Sequence, residues 1–247
     1  MPSEPLSPMD WLQQQPLAEG EYLYAVMGSA SDAEPMANYY RKASPEAPIP
    51  LWGGTPYAGW RELMPYLDHL PADSPMLDWV AATDARDWGW LAVSRAQPEE
   101  VAEHLRGLTQ VLMPGGTGVF FRFWDGQHLL PILDWLGERS GELLPVFTRY
   151  WVNGQARDGH ALPHQGPQPY PWWQVPQALL DHLTQQDPST LIDNLLQSLR
   201  EDHADLYFAQ PEANLRLKLA QFVRYHAEPM DSLGERVVDH LIQEVAP

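Results

Sequence analysis

The sequence contains no cysteine, which removes disulfides, thiolate nucleophiles and cysteine-ligated metals from its chemistry. It is also short of positive charge, with 15 Lys and Arg against 33 Asp and Glu and a formal net charge of -18. Such a surface repels phosphate backbones, so nucleic acid is not an expected partner, and it favours solubility or a basic protein partner. No run approaches the roughly twenty apolar residues of a membrane span. The start, Met1 to Asp10, is acidic and broken by prolines, without the basic opening and apolar core of a secretory signal. The expectation is a cytoplasmic chain with no membrane insertion.

What is present is a folded, loop-rich composition: 44% hydrophobic residues and 25 prolines in 247 residues, enough for two moderate domains each with a core. All eleven tryptophans lie at or before Trp173, while leucine and valine periodicity continues beyond it. Between Asn153 and Pro176 the chain is rich in proline (Pro163, Pro167, Pro169, Pro171, Pro176), as suits an extended connector. The domain reading is an N-terminal extension over 1–20, an α/β domain over 21–152, a connector over 153–176 and a helical lobe over 177–247.

Tyr22 to Met27 reads as a buried strand ended by Gly28, followed by a helix from Ala33 to Lys42. Ile49 to Thr55 is a short extended segment entering a glycine turn, Pro65 to Leu70 a strand, and Ser74 to Trp79 the opening of a helix with Pro75 at its first position. Trp88 to Val93 is a strand and Pro98 to Gly107 a helix, with Glu99 and Glu100 in the first turn and Val101, Leu105 and Leu108 down one side. Val111 and Met113, then Val119, Phe121 and Phe123, alternate as half-buried strands do, with Pro114-Gly-Gly-Thr-Gly118 as the turn. That pattern puts Phe120, Arg122 and Trp124 on the other face, where Arg122 with Asp125 forms a structural fork or a polar site. A helix over Leu129–Leu136 and a strand over Val146–Val152 complete an α/β class with a mixed sheet and flanking helices.

The last part reads as about four helices. Asp187 caps one with Pro188 at its first position and Leu191, Ile192, Leu195, Leu196 and Leu199 inward. Pro211 starts another carrying Leu215, Leu219, Phe222 and Val223. Ser232-Leu-Gly-Glu235 matches a capping box ahead of Val237, Val238, Leu241, Ile242 and Val245.

Catalytic signatures are weak. Ser29 and Ser31 lack a Gly-x-Ser-x-Gly elbow, and Gly115-Gly-Thr-Gly118 lacks the lysine and following helix of a phosphate loop. His160 and His164 have helical metal-ligand spacing, but Gly159 and Pro163 argue against a helix there. No catalytic residue, metal or cofactor is expected. Tyr170-Pro-Trp-Trp173 either pins the connector or meets a partner, and Phe222 and Tyr225 pose the same choice.

The ordered series Tyr22-Leu-Tyr-Ala-Val-Met-Gly28, Pro50-Leu-Trp-Gly-Gly-Thr-Pro56, Pro65-Tyr-Leu67, Ser74-Pro-Met-Leu-Asp-Trp79, Trp88-Gly89, His104-Leu-Arg106 and Val119-Phe-Phe-Arg-Phe-Trp-Asp125 resembles the bacterial type VI secretion adaptor, or effector-chaperone, family (Tap/Tec-type, formerly a domain of unknown function). The resemblance spans about Tyr22 to Val152. Gly126-Gln127 stands where the family continues with Pro-Arg, and Pro114-Gly-Gly116 where it has a Pro-Asp-Gly turn. Both departures touch turns.

The resemblance implies a non-enzymatic protein that binds a toxic effector in the cytoplasm and helps load it onto the VgrG spike. It assigns a structural motif role to Gly53, Gly54, Thr55, Pro65, Ser74, Pro75, Trp88, Gly89, Arg122 and Asp125. A cleft between lobes gripping the effector, with Tyr170, Trp172, Trp173, Phe222 and Tyr225 as anchors, is the accompanying hypothesis. Two alternatives stand beside it: an acidic immunity-like protein that neutralises a toxin, and a metal-dependent hydrolase.

Overall fold

The computed structural model describes residues 5–42, 47–162, 170–225 and 230–245. The chain divides into two compact units, Met1–Val175 and Pro176–Pro247.

The first unit is built on a six-stranded sheet in the order β2-β3-β1-β4-β7-β8. Its strands are β1 (Tyr22–Gly28), β2 (Ile49–Pro50), β3 (Pro65–Leu70), β4 (Gly89–Ser94), β7 (Phe147–Val152) and β8 (Gln155–Asp158). Neighbouring strands pair antiparallel throughout. The central strands β1 and β4 are buried along almost their whole length, so both faces of the sheet must be covered. One face carries Leu23, Ala25, Met27, Leu91 and Val93. It packs with Trp11 and Leu12 of α1 (Pro8–Gln14), Tyr39 of α2 (Pro35–Lys42), and Met76, Leu77 and Val80 of α3 (Met76–Ala82). Residues of the other parity, including Tyr24, Val26, Trp90 and Ala92, are equally inaccessible. There the Trp90 indole donates to the Phe123 carbonyl at 2.8 Å, and Phe147 meets Trp90 edge-on. Helices α4 (Pro98–Gly107) and α5 (Gly126–Leu136) bury Val101, Leu105, Leu129 and Leu133.

The edges of this sheet differ from its centre. β2 is two residues long and contains Pro50, while β8 reads Gln-Ala-Arg-Asp with none of its residues fully buried.

The stretch read as an N-terminal extension carries α1, capped where the Asp10 amide donates to Ser7 Oγ at 3.0 Å. It is tied to the sheet by the Trp151 indole donating to the Leu6 carbonyl at 2.8 Å and by Arg149, which reaches the Gln15 carbonyl and pairs with Glu21 at 3.1 Å. Burial pushes the Glu21 carboxyl up, but the Ala18 amide, Arg149 and Arg95 together outweigh it and hold its pKa below the ordinary 4.5. A depressed folded-state pKa gives stability that is present above 4.5 and lost as pH falls through the lowered value. Urea denaturation taken from neutral pH into acid is therefore expected to show a shallower acid loss for Glu21→Gln than for the parent protein. Parallel curves would mean that this carboxylate contributes nothing.

Four sequence expectations are corrected in this unit. β8 lies within the stretch read as connector and extends the sheet. The second strand of the hairpin, β6 (Gly118–Phe120), pairs with β5 (Gln110–Leu112) and stops earlier than its alternation suggests. Beyond it the chain turns inward, so Trp124 is buried with Phe123 instead of sharing the exposed face of Phe120 and Arg122. Finally, α3 begins at Met76 with Pro75 at its N-cap position.

The second unit consists of α6 (Gln177–Gln186), α7 (Ser189–Asp202), α8 (Ala204–Phe208), α9 (Glu212–Tyr225) and α10 (Met230–Val245). Leu191, Ile192, Leu195, Leu196, Leu199, Leu215, Leu219, Phe222, Val223, Val237 and Leu241 form its core as their periodicity predicts. Asp187 Oδ1 accepts from the Ser189 amide at the start of α7. The short α8 adds one helix beyond the expected four. Ser232 is not a cap, because α10 is already helical at Met230, and Ile242 is half exposed instead of inward.

Candidate interaction site

The motif residues lie at turns, strand ends and helix starts of the α/β unit. After β2 the chain turns through Gly53 and Gly54, where Gly54 has φ +77°. Thr55 Oγ1 fixes this turn by donating to the Trp52 carbonyl at 2.8 Å and accepting from the Tyr57 amide at 3.2 Å. Pro65 opens β3 opposite Gly28, and its carbonyl accepts from Leu51 at 2.9 Å. Ser74 Oγ accepts from the Met76 amide beside Pro75, starting α3. Trp88 is buried edge-on to Trp79, and Gly89 enters β4 with φ +148°.

Arg122 and Asp125 form the fork that the sequence offered, at 2.9 Å, with the carboxylate buried and the guanidinium half exposed. Asp125 is the N-cap of α5, accepting from the Gln127 amide at 2.9 Å. Burial raises its pKa, against the pull of His128, the Gln127 amide and Arg122. Its geometry is that of a helix cap.

The unit also carries a group of aromatic rings centred on buried Trp52, whose indole donates to Thr109 Oγ1 at 3.1 Å. Tyr57, Trp60, Phe120 and Trp124 all lie edge-on to it, with ring centroids 5.3–6.3 Å away. Trp60 and Phe120 stack at 5.3 Å, yet Trp60 is 48% and Phe120 41% exposed. Leu63 is exposed as well. Large apolar groups in this concentration on a surface mark contact sites more often than solvent-facing decoration.

Tyr57 also belongs to the wall of a cavity of about 1000 Å³ within the same unit. Helix α4 supplies its floor: Glu100, Glu103, His104 and Gly107 follow the i, i+3, i+4 spacing of one helix face, opposite the buried Val101 and Leu105. Gly107 permits a close approach, since a Cβ there would stand 3.0 Å from the Trp172 indole nitrogen. Trp172 lies 5.5 Å from the His104 ring, and His104 Nε2 is 3.1 Å from the Leu143 carbonyl. Tyr170 lines the same cavity and is half exposed; burial, followed by its hydrogen bond with Tyr57, raises its hydroxyl pKa. Glu142, Pro145, Ala161 and Leu162 contribute further wall.

The five aromatic residues singled out from sequence thus have different places. Tyr170 and Trp172 line the cavity. Trp173 is buried and stacks on Phe121, while its carbonyl accepts from Leu112 at 2.9 Å, and Leu112 pairs parallel with Gln174. Phe222 is buried in the helical core. Tyr225 ends α9, and its side chain lies outside the described residues, as does His164. The surface formed by Trp60 and Phe120 was missed as a unit, because the two lie far apart in sequence and only the fold stacks them.

The other sequence candidates find structural partners. Ser29 donates to the Met64 carbonyl and Ser31 to Asp87. His160 meets Ser140 Oγ at 3.3 Å, and Gly115-Gly-Thr-Gly118 is the hairpin turn. Among the described residues no group of three His, Asp or Glu side chains is placed to hold a metal ion. No helix among them is long and apolar enough to cross a membrane.

Antiparallel sheet, flanking helices, aromatic surface and recessed cavity together define an α/β unit suited to contact with another molecule. The family model described as Domain of unknown function (DUF4123) matches residues 23–141, within this α/β unit. This is the Tap/Tec-type adaptor family that the sequence motifs resemble, and the match supports a general adaptor or chaperone role. No curated protein and no solved structure matches the chain.

Proposed function

We propose that this chain is a non-enzymatic adaptor that binds one type VI secretion effector in the bacterial cytoplasm and promotes its loading onto the VgrG spike. The family match over residues 23–141 carries this reading, and the half-exposed Trp60–Phe120 stack beside the Tyr170 and Trp172 cavity supports it by offering a contact surface. An adaptor must bind and then release, so its affinity should rest on a few aromatic contacts within a wider, weaker surface. Tyr170 and Trp172 are the proposed contacts. Trp173 and Phe222, buried in their own units, would act by holding those units in shape.

The test is co-purification of the tagged chain with products of neighbouring genes, joined to an assay of effector secretion after its gene is deleted. The expected result is a specific toxin complex, lost delivery and undiminished self-protection. The net charge of -18 favours a second reading, in which the chain neutralises a basic toxin. Poisoning of producing cells on deletion, with delivery unchanged, would establish that reading instead.

A further inference from the structure

We propose that the cavity of the α/β unit seats a cationic segment of a protein partner, with an arginine or lysine side chain entering between carboxylates and aromatic rings. This deepens the adaptor reading and rests on it, by stating the chemistry that the cavity selects. Its volume of about 1000 Å³ lies at the upper end of the size of small-molecule sites and accommodates several side chains of an extended segment.

Three kinds of wall meet there. Tyr57, Tyr170 and Trp172 provide ring surface, on which the aliphatic stem of arginine or lysine packs and toward which its charge is attracted. Glu100 and Glu103, on one face of α4, and Glu142, itself 3.9 Å from Arg139, provide carboxylates. Two guanidiniums also line it, but both have acceptors of their own. Arg106 Nε donates to the Leu51 carbonyl at 2.7 Å, and Arg95 lies 3.8 Å from Glu21. The third wall is apolar, from Pro56, Pro145, Val146 and Leu162.

Charge complementarity decides the occupant. Three carboxylates against two guanidiniums in the lining, in a molecule of net charge -18, repel an acidic peptide or a polyphosphate and attract a cation. Rings and apolar wall discriminate further, because a small hydrated metal ion gains nothing from them, whereas a long basic side chain between apolar neighbours uses every wall.

The probes are two acetylated, amidated peptides of equal length, one alternating leucine and arginine, the other leucine and glutamate, titrated into the full chain by calorimetry and tryptophan fluorescence. The basic peptide is expected to bind at a single site, more weakly as salt rises, and the acidic one not to bind. Glu103→Gln with Glu142→Gln, both at exposed positions, should retain the parent's thermal unfolding and weaken the basic peptide by about ten-fold; Tyr170→Ala should weaken it too. A control, Glu235→Gln with Asp239→Asn on the helical unit, removes the same charge from exposed positions there and should leave affinity nearly unchanged.

Equal weakening by the control, equal binding of both peptides, or no binding of the basic one overturns the site. In cells, normal effector delivery by the Glu103→Gln, Glu142→Gln variant overturns the cavity proposal while leaving the adaptor reading intact. Normal delivery after deletion of the whole gene overturns the adaptor reading itself.

Discussion

Gly89→Ala is expected to abolish stable folding of the α/β unit. Gly89 sits opposite Met27 where the two central strands pair, with φ +148°, a conformation that side chains disfavour. A Cβ there would overlap the Val26 carbonyl oxygen. Relief would require β1 and β4 to separate, yet β1 is held by β3 on its other side and β4 by β7. A cost on the order of 4 kcal/mol or more follows, in the exceptional range for one substitution, against a typical total stability of roughly 5–15 kcal/mol. Circular dichroism and urea denaturation of the purified variant would read it. A variant folded as stably as the parent would show that the strands can give way, and would remove the physical reason for glycine in the Trp88-Gly89 motif.

The second large effect is expected at Trp52. Truncation to alanine empties a buried indole site, at a cost of about 3–5 kcal/mol, and removes the ring against which Tyr57, Trp60, Phe120 and Trp124 rest. Trp52→Phe retains most of the apolar volume but strands the Thr109 hydroxyl, itself 2% exposed, at about 1–3 kcal/mol. The order should therefore be parent, then phenylalanine, then alanine in thermal or urea unfolding, with a loss of near-ultraviolet aromatic signal in the alanine variant. If alanine costs no more than phenylalanine, the indole is not the centre of the cluster. Because Trp60 and Phe120 lean on Trp52, the phenylalanine variant also asks whether partner binding depends on the position of those rings.

Both positions belong to motifs visible in the sequence, and so does much of the frame. The burial of β1 and β4 follows from unbroken apolar runs, and α4 from agreement of its proline start, acidic first turn and apolar stripe. The helical unit was readable for the same reason, since its leucine spacing leaves few arrangements for the core. What failed were ends and turns. Phe121 to Trp124 keep a strand-like alternation that tertiary packing overrides, drawing both Phe123 and Trp124 inside. β8 has too little apolar character to stand out from the connector, and the apparent capping box at Ser232 competes with helix that has already begun.

The candidate interaction site was less legible than the fold. Tyr170 and Trp172 stood out because large rings are unusual in a proline-rich segment, but the same argument selected Trp173, which faces inward. Direction along such a segment is set by backbone pairing of Leu112 with Trp173 and Val175, a long-range contact with no local signature. The carboxylates of α4 look like any solvated helix face until Tyr57 and Trp172 are folded over them. Periodicity identifies what one element buries; it does not report what several elements jointly leave open.

The margins of the main sheet bear on how such a protein can meet a partner chain. A long, flat margin would invite an extended chain to join by main-chain hydrogen bonds, a mode indifferent to sequence and prone to propagate into aggregates. Here one margin is a two-residue strand interrupted by proline and the other a short polar one. Sequence-blind annealing to the six-stranded sheet is thus discouraged at both sides, which leaves recognition of a partner to side-chain chemistry.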